Sequence, residues 1–192
     1  MSPISGYFGE GTCWNDLEGT GIAMNPSTPT CTECEVRKWI CARVVAALRA
    51  KDYPQDGMRF DQHFDLDTPT GEIIRIGIEL VVCLEDRPAL LVKCVAGNLV
   101  TRDRAAVAVA RLFFQPPVPL VIVANDTDAT VIDTRTGKSE GFGYASFPEI
   151  ATARERIGTG APAPLSVDRR ERERRILGTY LNLGCSPPGE PF

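Results

Sequence analysis

Two nearly uninterrupted apolar runs constrain this chain most. Ala89 to Ala96 is apolar on both faces except at Lys93, and Val118 to Ala124 is apolar throughout. Such a strand must be covered above and below, so it belongs at the centre of a sheet. Between the runs, Arg102 to Gln115 is rich in Ala and Val and reads as a helical crossover. Upstream, Thr32 and Glu35 fit a capping box. Behind it Val36, Trp39, Ile40, Val44, Val45 and Leu48 recur at helical spacing, so a helix is expected over about 33–51. Met58 to Leu66 and Glu72 to Leu84 read as strands parted by the turn Asp67 to Gly71, and Glu85 to Pro88 is a second turn. Ala129 to Asp133 is a short strand closed by Thr136-Gly137. The order is helix, three strands, helix, strand, strand. That order predicts an α/β fold with a mixed central sheet flanked by helices.

The expected organisation is an irregular Cys-containing arm at 1–32, a core domain at 33–138, a Gly/Pro-rich linker at 139–165 and a C-terminal helix and tail at 166–192. In the last helix Ile176, Leu177, Tyr180 and Leu181 form one stripe, and Gly184 suits its stop. With 192 residues and 43% hydrophobic content the chain can bury a sizeable core. No uncharged apolar run approaches the roughly 18 residues of a membrane span. The first residues lack a signal-peptide pattern, so a cytoplasmic protein with no membrane partner is expected. The net charge of −4 argues against a protein that coats nucleic acid and leaves room only for a local basic groove.

A resemblance rests on the order of several pieces. They are Arg37 to Tyr53, Arg75 to Val82, Arg87 to Ala96, Ala110 to Phe114, and Pro119 to Asn125 leading to Val131 to Thr134. Together they resemble the N-terminal domain of type I restriction enzyme R subunits, a PD-(D/E)xK nuclease fold. The resemblance implies a restriction-endonuclease-like core. In that family an acidic residue precedes a Val-Val run on the second strand, and the third strand carries Glu-x-Lys. Two carboxylates hold a divalent metal, which neutralises charge on the phosphate oxygens. Carried over, Glu79 takes the first acidic position, Lys93 stands where the Glu belongs, and Val95 stands where the Lys belongs. The site implied is degenerate, one carboxylate facing a cation, and a Lys93–Glu79 ion pair is expected in place of the metal. The alternative is an active Mg²⁺-dependent DNA endonuclease in which Glu33, Glu35 or Asp65 supplies the missing ligand. Under the first reading the chain binds DNA, or a partner in restriction or repair.

The seven cysteines are an odd number with no secretion signal behind them, which favours metal binding or burial over a disulfide framework. Cys31-x2-Cys34 opens the first helix, Cys13 lies in the arm, and Cys185 follows the last helix. These four could hold Zn or an iron–sulfur cluster, in a structural or redox module. Cys41, Cys83 and Cys94 lie in apolar stretches and are expected in the core. Arg102, Arg104 and Arg111 form one basic group, and Arg169 and Arg170 open another that runs to Arg175. Both are candidates for phosphate contact, and the second is equally a solvated helix face with Glu–Arg pairs. The single histidine, His63, is expected as a packing or surface residue. Gly137-Lys138-Ser139 lacks the upstream glycine of a P-loop.

Overall fold

The structure, a computed structural model, describes residues 32–67, 71, 73–99, 102–158 and 162–181. The chain order is α1 (Thr32–Arg49), β1 (Met58–Asp67), β2 (Ile73–Leu84), β3 (Arg87–Cys94), α2 (Asp103–Leu112), β4 (Leu120–Ala124), β5 (Ala129–Asp133), β6 (Lys138–Phe142), α3 (Ile150–Gly158) and α4 (Val167–Leu181). The six strands form one sheet in sequence order. Neighbours run antiparallel except β3 and β4, which the α2 crossover makes parallel. This is the mixed sheet expected.

Period-two alternation splits the core into two layers. Leu90, Val92 and Cys94 of β3 pack with Ile40, Cys41, Val44 and Leu48 of α1 and with Ala153 and Ile157 of α3. Leu91 and Val95 pack with the Ala/Val face of α2 and with Leu177 of α4. Ala89 to Val92 and all five residues of β4 are buried, as the two apolar runs required.

Boundaries shift where turn chemistry is stronger than composition. The β2–β3 hairpin closes on two residues, Glu85 and Asp86, both at positive φ (53° and 58°), and Leu84 pairs Arg87 directly. Two left-handed residues give the twist that a tight hairpin needs. Helix α2 ends at Leu112, three residues before Gln115, with Pro116-Pro117 just beyond.

The largest departure concerns 139–165, expected as a linker. It forms β6, paired with β5, and then α3, and it buries Phe147 at 2% exposure. The glycines that suggested a linker serve packing. A Cβ on Gly141 would stand 2.6 Å from the Ser146 Cβ, and Gly143 sits at φ 79°. Pro148 and Glu149 lead directly into α3.

Candidate functional site

The sheet forks at its middle. From Leu84↔Arg87 to Leu80↔Val92, strands β2 and β3 are paired. Beyond that point β2 continues with β1 alone, down to Ile73↔Asp67, while β3 stays with β4 as far as Cys94↔Ala124. Glu79 and Lys93 are the first residues past the parting on their two strands. The parting leaves backbone groups of β2 without a β3 partner, and side chains take their place.

The Lys93 ammonium does so. Its Nζ lies 3.0 Å from Glu79 Oε1 and donates a 2.8 Å hydrogen bond to the Gly77 carbonyl. The Cys94 backbone N–H donates to the other carboxylate oxygen, Oε2, at 2.9 Å. Arg37 Nη1 of α1 lies 3.9 Å from Oε1. The two side chains are 21% and 13% exposed, so the pair is only partly screened by water. The ion pair expected between Lys93 and Glu79 is present.

A cleft of about 180 Å³ opens beside them. Arg37, Lys38 and Cys41 of α1 line one wall, Asp61 and His63 of β1 another, and Gly77, Ile78 and Glu79 the third. Asp61 stands across β1–β2 from Glu79, flanked by the pairs Phe60↔Leu80 and Gln62↔Ile78, and its φ is 49°. Asp65, considered as a replacement ligand, instead accepts a 3.1 Å hydrogen bond from Arg75 on the exposed end of the hairpin. Glu35 is exposed on α1, and the side chain of Glu33 lies outside the described residues. Behind the cleft, Cys94 is pushed well above the ordinary thiol range by its hydrogen bond with the Cys41 thiol and by burial. A thiol so raised is a poor nucleophile and metal ligand, and both Cys41 and Cys94 are buried in the core between α1 and the sheet. Cys83 is half-buried.

Sequence reasoning missed Arg37, Lys38 and Asp61. A signal existed for Arg37, which shares the core-facing side of α1 with Cys41 and Val44, where a charge demands a partner. Asp61 carries no such signal, because its place depends on the pairing register of a strand whose opposite residue lies 18 positions away.

The basic candidates separate. Arg111, 11% exposed, pairs with Glu173 of α4, and its Nε donates to the Thr134 carbonyl at 2.7 Å. Its guanidinium clasps α2 to α4, so it does not form an open phosphate contact. Arg169 lies near that same end of α2, since its Nη2 donates to the Arg135 carbonyl that Arg111 also contacts. Arg102 and Arg104 lie at the other end of α2, and Arg104 is exposed. The two groups thus share the α2–α4 layer at its opposite ends. Cys13, Cys31 and Cys185 lie outside the described residues, and of Cys34 only its place in the first turn of α1 is described. Among the described residues no group of three His, Cys, Asp or Glu side chains is placed to hold a metal ion.

A mixed six-stranded sheet with helices on both faces, and charged side chains gathered where its second and third strands part, is consistent with a restriction-endonuclease-like domain. The chain belongs to the family described as Type I restriction enzyme R protein N terminus (HSDR_N), which matches residues 32–148, from the first turn of α1 to just past β6. Neither a curated protein nor a solved structure matches the chain. The family points to a role in DNA restriction, with DNA or restriction-system components as partners. No helix among the described residues is long and apolar enough to cross a membrane.

Proposed function

We propose that this chain is a catalytically degenerate member of its family that binds DNA without cleaving it, within a restriction or repair system. One observation carries the reading: the Lys93 ammonium occupies the fork between Glu79 and the Gly77 carbonyl. Mg²⁺ needs several oxygen ligands. Here Glu79 Oε1 is taken by the ammonium and Oε2 by the Cys94 N–H. A divalent ion about 4 Å from that ammonium would be repelled by roughly 8 kcal/mol, twice the unit-charge figure for a partly screened site. The residues at the fork do not fit the metal that hydrolysis in this family would use. Beside the carboxylates of Asp61 and Glu79 the cleft carries the cations of Arg37 and Lys38, and Arg102, Arg104, Arg169 and Arg170 are further phosphate contacts on the α2–α4 layer.

Anisotropy of a labelled duplex at two salt concentrations, with Mg²⁺ or Mn²⁺ present and the DNA run on a gel afterwards, tests this. The expected outcome is binding that weakens with salt and leaves the DNA intact. Cleavage that Glu79→Gln abolishes would overturn the reading and restore the endonuclease, with Asp61 as the carboxylate that lines the same cleft as Glu79. Absence of binding at low salt would overturn it as well. Zn or iron–sulfur at Cys13, Cys31, Cys34 and Cys185 is a separate proposal, tested by the metal content of protein purified without air.

A further inference from the structure

On the outer side of α1, away from the fork, Trp39 is 54% exposed. An exposed indole on a helix with a well-filled core face is unusual, and this one is held in place. The Arg43 guanidinium, one turn on, lies over the Trp39 ring at 4.9 Å and over the Tyr144 ring at 4.5 Å. Arg43 Nη1 also donates to the Asp126 carbonyl. The Tyr144 hydroxyl donates to the Asn125 carbonyl at 2.7 Å. A cation is therefore stacked on two rings, the Arg43 guanidinium and the Tyr144 ring are each tethered to the β4–β5 turn, and the indole, 54% exposed, rests against that cation.

We propose that Trp39 is a stacking platform for an unpaired nucleobase of a DNA strand. The proposal rests on the DNA-binding reading and deepens it by naming the form of DNA. Every base presents a π-face, and aromatic rings beside cations are how proteins hold single strands. Lys38 adjoins Trp39 on the helix and also lines the cleft at the fork, so it lies between the platform and the cleft Arg37. A backbone running along that edge meets Lys38 and Arg37 while a base lies on Trp39. The nearby carboxylates are Glu35, one turn before Trp39, and Asp126 and Asp128 at the Tyr144 end, so the base approaches from the Trp39 side. A protein partner is less well matched. The exposed neighbours one and two turns along, Ala42 and Ala46, are too small to make a hydrophobic anchor, and Lys38 and Arg49 flank them.

The test compares the full chain and its Trp39→Ala variant on three labelled probes of equal length: a thymidine single strand, the same strand without bases, and a duplex. Thermal melting confirms that the variant folds. The expected result is a loss of about tenfold or more on the single strand, little change on the duplex, and wild-type affinity for the abasic strand as weak as the variant's for the intact one. Trp39→Phe should recover part of the loss. Equal losses on single strand and duplex, or no loss on either, overturn the platform while DNA binding stands, and the second result leaves the surface to a protein partner. If the wild type binds none of the probes, the DNA-binding reading fails and the platform with it.

Discussion

Lys93 is held by the Glu79 carboxylate and the Gly77 carbonyl. Replacing it with Met keeps the volume and removes the charge. Glu79 would then retain the Cys94 N–H, with Arg37 at the edge of contact, and the Gly77 carbonyl would lose its donor. The expected loss is roughly 1–3 kcal/mol, read as a lower urea midpoint at constant slope. The double variant Glu79→Leu, Lys93→Met should lose less than the single, because it strands no charge. Lys93→Met at wild-type stability would show that the pair contributes nothing. This part of the site was legible in the sequence. A lone cation in an apolar strand calls for a partner, and an acid on the neighbouring strand supplies one. The rest of the cleft was not. Which helix residues overhang the fork depends on how α1 crosses the sheet, and the place of Asp61 depends on a left-handed backbone at a non-glycine residue.

The central elements were equally plain, since two-sided apolar strands around an Ala/Val helix leave few alternatives. The C-terminal third of the core was not plain, because β6 and α3 look like punctuation. All of β6 is at least partly exposed, as an edge strand can be, and α3 buries only Ala153 and Ile157. Between them Phe147 is buried in the core, and an aromatic flanked by Ser and Pro gives no periodic signal. Phe147→Ala should therefore cost about 3–5 kcal/mol in chemical denaturation, as for a core residue, whereas a linker residue would cost almost nothing. Arg111 offers the same lesson in reverse. Its charge and position on α2 suggested an exposed contact, yet a buried carboxylate on α4, 62 residues later, claims it.

At the scale of the molecule, the parting of β2 from β3 bears on how the protein responds to its surroundings. A binding site that is filled only from solution makes stability depend on the concentration of what fills it. An ion present at a hundred times its dissociation constant adds about 2.7 kcal/mol. In this chain the positive charge at the fork is covalently part of the polypeptide and is delivered by folding itself. The melting midpoint is accordingly expected to be the same in millimolar magnesium, in manganese and in a magnesium-binding chelator, and a rise with either ion would show that the fork takes one up. The central sheet would then keep its strength whatever the supply of divalent ions. A fork lined by two carboxylates, which repel each other when no ion is bound, would lose strength whenever those ions ran short.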